Sequence, residues 1–190
     1  RGAKLIVVDP VLSESASRAD LWLQLRPGTD AALALGMLNV IINEGLYDRD
    51  FVAQWCAGFR ELQARVQEYP PEKVEQITWV PREKVVEAAR LYATTRPACI
   101  TQVLAIDQNA DTISTSRAIA MLASLTGNID VPGGNVFPMK TGIPERNDLT
   151  LRDSLTPEQH RRRLGSQEYP FLSGNDCIMP PSAHNATLWK

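Results

Sequence analysis

The first thirty residues contain two short apolar runs, each followed by a loop that carries a carboxylate, and this arrangement constrains the fold most. The first run, residues 5–8 (LIVV), is mostly β-branched and stops at Asp9-Pro10, where proline removes a backbone donor. It predicts a strand buried on both faces. The second run, residues 20–25, precedes the loop 26–30 (RPGTD) and a long helical pattern. If the two strands are neighbours, Asp9 and Asp30 face one ligand at the carboxyl edge of a sheet.

The connection between these runs is unusually short. Residues 11–19 are too few for an ordinary crossover helix, which needs about a dozen residues. They allow one or two helical turns. Either the strands are joined tightly at one edge of the sheet, or a short helix crosses between them.

Several later segments carry apolar residues at helical spacing. A helix is predicted from Thr29 to about Gly45, with Thr29 or Gly28 as N-cap and Asp30 in the first turn. Asp48 is predicted to cap a second, continuous helix that stops before Tyr69. Pro71 and Pro81 are predicted to begin two more helices. One side of the second helix carries Phe51, Val52, Trp55, Phe59, Leu62 and Val66.

Residues 98–105 (ACITQVLA) predict a further buried strand, followed by a polar loop and a helix that ends at residues 126–128. Alternating strands and helices indicate an α/β domain with a mostly parallel sheet. We expect this domain to span residues 1–136. Residues 137–190 are rich in proline and polar residues, and there we expect an irregular extension with one short helix at about residues 157–163.

Composition excludes several classes of function. The net charge is −2, so nothing favours a nucleic-acid partner, and no apolar run approaches the roughly 20 residues of a membrane span. Cys56, Cys99 and Cys177 are far apart and form no metal-binding motif, and we expect Cys56 and Cys99 to be buried as small apolar side chains. The abrupt ends and the lack of a signal-like start indicate a piece of a longer protein, whose compartment, cytoplasm or periplasm, stays open.

The loop 26–30 has the chemistry of a nucleotide site. Gly28 permits close approach or a positive φ, and a helix start offers free N–H groups to an anionic group. The Asp30 carboxylate can accept two hydrogen bonds from the N1–H and the exocyclic amine of guanine. Asp9 is either a ribose-binding carboxylate or an aspartate that begins a turn. A Pro-Gly turn followed by a helix cap accounts for residues 26–30 as well.

Three blocks of sequence resemble the molybdopterin oxidoreductases of the dimethyl sulfoxide reductase and formate dehydrogenase superfamily. The first is Asp9-Pro10 with residues 19–35 (ADLWLQLRPGTDAALAL), and the others are residues 44–52 (EGLYDRDFV) and 125–134 (LTGNIDVPGG). The likeness covers about residues 2–136. It implies a three-layer Rossmann-like domain, part of the catalytic subunit, that binds the nucleotide end of a bis-molybdopterin guanine dinucleotide carrying molybdenum or tungsten.

The resemblance also assigns roles to residues. Asp30 would recognise guanine and Asp9 would hold the ribose or guanine end of the cofactor. Val11 stands where the family often has arginine, so Arg18 or Arg26 would supply the charge. Val103 and Ala105 replace a Gly-x-Gly turn of many relatives, beside which Asp107 or Asn109 could add contacts. The candidate cofactor-binding residues are Asp9, Pro10, Arg26, Gly28, Thr29, Asp30, Gln108 and Asn128.

For the whole protein, the resemblance implies a molybdopterin-dependent oxidoreductase whose isolated central piece is inactive. The metal ligand, and any iron–sulfur cluster, would come from other segments, and the partners would be the remaining domains and an electron-transfer subunit. Some relatives instead perform non-redox hydration or hydroxyl transfer. An alternative of another class is a non-catalytic α/β binding or interaction domain. No G-x-G-x-x-G follows either strand, which disfavours a nicotinamide or flavin site.

Overall fold

The computed structural model describes residues 2–102, 104–137, 154–162 and 167. The chain divides into two compact units, residues 1–137 and residues 138–190. The first unit contains a small parallel sheet and many helices. The predicted α/β class is therefore confirmed, with a smaller sheet than expected.

Two strands, β1 (Ile6–Val8) and β2 (Leu21–Leu23), pair in parallel, with Ile6 opposite Leu21 and Val8 opposite Leu23. The one-turn helix α1 (Glu14–Ser17) connects them. Of the two connections that the sequence allowed, the short helix is the one observed. Parallel pairing places the carboxyl ends of both strands at the same edge of the sheet.

β1 is more exposed than its apolar sequence predicted. Leu5 is 43% exposed and Val8 44% exposed, whereas Leu21 and Leu23 of β2 are buried. The prediction that β1 is buried on both faces is wrong. In the part of the chain that the structure describes, the main neighbours of β1 are β2 and α1, and a single helical turn cannot cover both faces of a strand.

Helix α2 (Asp30–Asn43) forms the centre of the helical core and packs mainly on α5 (Pro71–Thr78), α6 (Arg82–Thr94) and α8 (Thr112–Leu125). These four predicted helices are confirmed. Each large apolar side chain that is fully buried there contributes about 1.5–3 kcal/mol. Gly36 allows α2 to approach α5 closely, because a Cβ at that position would lie 2.6 Å from Val74 Cγ2.

The segment after Asp48 differs from its prediction. Asp48 caps a helix as expected, since its Oδ1 accepts a hydrogen bond from Phe51 N at 3.0 Å. The helix then breaks into α3 (Arg49–Trp55) and α4 (Phe59–Val66). Gly58 takes a left-handed conformation with φ 77° and becomes the N-cap of α4, which only glycine does without strain. The prediction of one continuous helix is wrong, and Trp55, 70% exposed, does not lie on a buried stripe.

The prediction of a strand at residues 98–105 is also wrong. Residues 98–102 are irregular, Leu104–Asp107 form the short helix α7, and Val103 lies outside the described residues. Side-chain amides replace the neighbouring strand: Asn128 Oδ1 accepts from Ala98 N at 3.0 Å. Asn135 Oδ1 accepts from Ile100 N at 3.0 Å, and its Nδ2 donates to Ile100 O at 2.7 Å.

Two smaller predictions have separate outcomes. The expectation of burial is wrong for Cys99, which is exposed, whereas Cys56 is partly buried.

In the second unit, helix α9 (Pro157–Arg161) confirms the predicted short helix. Cys177 and most of the predicted irregular extension lie outside the described residues. No helix within the described ranges is both long and apolar enough to cross a membrane.

Candidate nucleotide-binding site

The turn that ends β1 is held by hydrogen bonds from β2 and the residue after it. Asp9 N donates to Leu23 O at 3.2 Å. Trp22 Nε1 donates to Asp9 O at 2.9 Å, and Gln24 Nε2 donates to Pro10 O at 3.2 Å. The position of Asp9 at the carboxyl edge of the sheet is therefore fixed by the neighbouring strand.

The Asp9 carboxylate has one oxygen engaged within the turn. Its Oδ1 accepts a hydrogen bond from Val11 N at 2.9 Å, the pattern of an Asx turn. The turn-forming role that the sequence allowed is thus present. Among the described residues Oδ2 has no hydrogen-bond partner, so the side chain keeps an acceptor for a ligand.

The loop after β2 is anchored at both of its ends. Arg26 N donates to Thr78 O at 2.8 Å, and both Thr29 N and Thr29 Oγ1 donate to Arg26 O, at 3.3 and 2.6 Å. Between them Gly28 has φ 79°. Thr29 is the N-cap of α2, but its side chain forms no cap hydrogen bond. Free N–H groups in the first turn of α2 therefore remain available to an anionic ligand.

Asp30, the acidic residue of this loop, lies in an unusual environment. Its side chain is partly buried at the first position of α2, and burial raises the pKa of its carboxyl group, partly opposed by its own backbone N–H. No other side chain within the described ranges bonds to it. A desolvated carboxylate with open acceptor positions at a helix start is typical of a functional site.

The segment after α7 approaches the same loop. A Cβ at Gly28 would lie 3.8 Å from Asn109 Oδ1, and Asn109 Nδ2 donates to Ala105 O at 2.8 Å. Gln108 precedes it with an exposed side chain. The sequence favoured Gln108, but Asn109 is the residue that the structure places at Gly28. The sequence predicted Asn109 only beside Asp107, as one of two residues of this polar loop that could add contacts.

Asn128 lies in a different setting. It is 1% exposed, its Oδ1 accepts from Ala98 N at 3.0 Å, and its Nδ2 donates to Thr126 Oγ1 at 2.8 Å. These contacts hold the irregular segment 98–102 on the end of α8. A direct contact between Asn128 and a cofactor stays a prediction.

The structure distinguishes the two arginines that could supply a cation. Arg18 Nη2 lies 2.7 Å from Glu14 Oε1, so its charge already has a partner. Arg26 has no carboxylate partner among the described residues, and its guanidinium stacks on the Trp79 ring at 5.2 Å from the centroid. Arg26 is therefore the uncompensated cation of this loop.

These groups suit a nucleotide. A base with N–H donors can pair with the Asp30 carboxylate, while a phosphate can accept from Arg26 and from the start of α2. Within the described ranges no three His, Cys, Asp or Glu side chains are grouped so that they could hold a metal ion.

Comparison with known proteins identifies the family. A family profile described as molybdopterin oxidoreductase matches residues 1–187. This chain belongs to the molybdopterin oxidoreductase family. Members of this family use a molybdenum or tungsten pterin cofactor, and the resemblance inferred from the three sequence blocks is confirmed.

Relatives in the family differ in their reactions. Acetylene hydratase of Syntrophotalea acetylenica is 42% identical over 186 residues, which are 96% of this chain and 25% of the hydratase. Formate dehydrogenase H of Escherichia coli is 41% identical over 139 residues, 73% of this chain and 19% of that enzyme. Dimethyl sulfoxide reductase DmsA of the same organism is 39% identical over 153 residues, which are 70% of this chain and 19% of that reductase.

A solved structure also resembles the chain. Acetylene hydratase from Pelobacter acetylenicus matches with a TM-score of 0.72 and 42% identity, over 90% of this chain and 24% of that one. The chain thus spans between 19 and 27% of the length of the first relatives that it matches. It is a fragment in comparison with these molybdopterin enzymes.

Proposed function

We propose that this chain is the part of a molybdenum- or tungsten-dependent enzyme that binds the nucleotide end of a bis-molybdopterin guanine dinucleotide cofactor. The observation that carries the proposal is the Asp30 carboxylate. It is partly buried at the start of α2, where burial raises its pKa, and it has no partner side chain among the described residues. Leaving such a carboxylate without hydrogen bonds costs free energy, which a ligand with two adjacent N–H donors would offset.

Each neighbouring group has a defined task in this proposal. Asp30 accepts from the N1–H and exocyclic amine of guanine, and Gly28 lets the ligand approach the backbone. Asp9, with Pro10 in its turn, accepts from the ribose through Oδ2. Arg26 and the first N–H groups of α2, beyond Thr29, bind phosphate. Gln108 and the adjacent Asn109 border the loop from α7.

The bound cofactor supplies the metal at which the substrate reacts, while the residues of this chain orient the cofactor's nucleotide arm. The metal-ligating side chain, and an iron–sulfur cluster if the enzyme has one, belong to other segments of the polypeptide. Residues 1–136 form the nucleotide-binding domain, and residues 137–190 lead toward a partner domain. The remaining domains are partners of this chain, and an electron-transfer subunit is a partner if the reaction is redox.

A second candidate for the whole enzyme is a non-redox hydratase. Acetylene hydratase is 42% identical over 96% of this chain. A formate dehydrogenase subunit from Methanococcus maripaludis is 35% identical over 95% of this chain. A hydratase would turn over without net electron transfer. An oxidoreductase would stop when its electron donor or acceptor is withheld, and this dependence separates the two reactions.

The proposed nucleotide site is tested by Asp30→Asn in the full-length protein. The amide keeps the size of the side chain but presents a donor to the donors of guanine, and it loses two charge-assisted bonds. We expect guanine dinucleotide retention to fall about tenfold or more, measured as guanine nucleotide and metal per polypeptide after gel filtration.

The matched control is Asp50→Asn, since Asp50 is also an aspartate in the first turn of a helix, α3, but is exposed. This control should retain the wild-type nucleotide content. Full retention in Asp30→Asn would contradict the proposal. A full-length protein that contains neither pterin nor metal would instead favour the non-catalytic binding domain.

A further inference from the structure

Trp79 has a backbone conformation that tryptophan rarely adopts. It is the C-cap of α5 with φ 66° and ψ 4°, a left-handed position that glycine usually fills after a helix. A bulky residue there is strained by about 1 kcal/mol or more. The side chain is nevertheless 67% exposed, so burial of the ring does not compensate for the strain.

The neighbours of Trp79 impose this conformation. Thr78 and Val80 on either side are fully buried. Thr78 Oγ1 donates to Val74 O at 2.7 Å and accepts from Val80 N at 3.2 Å. Because both flanking residues are fixed in the core, the residue between them must turn outward whatever its side chain.

The exposed ring makes one contact with the candidate site. The Arg26 guanidinium lies over it at 5.2 Å from the ring centroid, within the range of a cation–π interaction. The backbone of the same arginine donates to Thr78 O at 2.8 Å. The end of α5 therefore holds Arg26 twice, by the main chain and by the side chain, two residues before Gly28.

We propose that Trp79 is a positioning residue for nucleotide binding: its ring holds the Arg26 guanidinium beside the Gly28–Asp30 turn, where the cation binds an anionic phosphate of the nucleotide. This rests on the proposed function of the loop. Arg26 suits the task because no carboxylate among the described residues neutralises it. An arginine whose flat side chain is already ordered on an aromatic ring loses less side-chain entropy on binding.

Trp79→Gly separates a positioning role from a structural one. A positioning role predicts faster nucleotide release without a loss of stability, and a structural role predicts a lower melting temperature with unchanged release. Glycine adopts a positive φ without strain, so the melting temperature of the full-length protein should stay the same or rise. Loss of the stack should still accelerate release of the guanine nucleotide about two- to fivefold. Trp79→Phe keeps a ring for the cation and should release the nucleotide close to the wild-type rate.

Two further variants complete the experiment, with nucleotide release and the melting temperature measured at two salt concentrations. Arg26→Gln should release the nucleotide about tenfold faster or more and should reduce the salt dependence of release. Trp55→Ala is the matched control, because Trp55 is equally exposed but lies on α3. It should behave as the wild type.

The outcomes separate this inference from the function on which it rests. If Asp30→Asn keeps its nucleotide, the proposed function itself fails. If Asp30→Asn loses it while Trp79→Gly or Arg26→Gln retains it at the wild-type rate, the nucleotide site stands and the role of Trp79 is overturned. A lower melting temperature in Trp79→Gly, with unchanged release, would show a structural role instead.

Discussion

At the scale of single residues, Asp30 and Asp48 have pKa values shifted in opposite directions, although both are aspartates at the start of a helix. Burial raises the pKa of Asp30. The backbone N–H of Phe51, together with the Arg96 guanidinium 3.1 Å away, lowers the pKa of Asp48. Among the described residues no other residue bonds to the Asp30 carboxylate, whereas Asp48 bonds to Phe51 N and Arg96, which is the expected difference between a ligand-binding position and a structural cap.

These shifts predict opposite effects of two asparagine variants on the stability of the cofactor-free protein. The folded state disfavours the ionised form of Asp30, so Asp30→Asn should raise the melting temperature at pH 7, and the gain should vanish as the pH falls below the ordinary value of about 3.9. The stabilisation from Asp48 is present above that value and is lost as the pH falls through its lowered folded pKa. Asp48→Asn should therefore lower the melting temperature at pH 7 and less so in acid. Thermal denaturation from pH 3 to 7 measures both, and equal signs for the two variants at pH 7 would contradict this interpretation.

At the scale of elements, the segment 98–102 shows why a run that is predicted as a buried strand need not become one. Its backbone groups require partners, and the ends of two side chains provide them: Asn135 bonds to both the N–H and the C=O of Ile100, and Asn128 accepts from Ala98 N. Two amides thus bond to three backbone groups of a segment that the sequence pattern alone assigns to the sheet.

Asn135→Ala is predicted to release this segment. Because the substitution leaves the N–H and C=O of Ile100 without partners, it should lower the free energy of unfolding by about 1–3 kcal/mol and speed hydrogen exchange at Ile100. Urea denaturation and amide exchange measure the two effects. Asn43→Ala is the control, since the Asn43 amide is exposed and bonds to Asn39 and Gln67 side chains. Unchanged exchange at Ile100 in the Asn135 variant would show that the amide does not hold the segment.

At the scale of the whole molecule, this chain belongs to the molybdopterin oxidoreductase family and spans between 19 and 27% of the length of the first relatives that it matches. The described part places the Asp9 turn and the loop 26–30 at the carboxyl ends of two adjacent parallel strands, and Asn109 at Gly28. The proposed nucleotide site thus draws on three separate parts of the chain. A ligand that bridges them would favour the folded state over the unfolded one.

Removal of the cofactor from the full-length protein should therefore lower its melting temperature. A ligand present at about 100 times its dissociation constant stabilises the folded state by about 2.7 kcal/mol. The difference in melting temperature between the cofactor-bound and cofactor-free forms should be smaller in Asp30→Asn than in the wild type, because that variant binds the nucleotide end less tightly. Differential scanning calorimetry of both forms measures this. Identical melting temperatures with and without cofactor would contradict the nucleotide-binding role.

The sequence by itself determined four of the long helices, α2, α5, α6 and α8. Periodic apolar residues identified α2, α6 and α8, and Pro71 identified the start of α5. The caps at Asp48 and at Thr29 or Gly28 were predicted because capping depends on neighbouring residues alone. The strands β1 and β2 were predicted from two apolar runs, each followed by a loop that carries an aspartate. The family was also recognisable, since its motifs are local stretches of sequence.

Only the tertiary structure decided the features that depend on distant residues. The amides of Asn128 and Asn135 bond to the backbone of Ala98 and Ile100, 30 and 35 residues away in the chain, where the sequence predicted a strand. The approach of Asn109 to Gly28 and the stack of Arg26 on Trp79 join residues far apart in the chain. Periodicity reports which side of a segment is apolar, whereas the partner of each backbone group or side chain is chosen by packing of the whole chain.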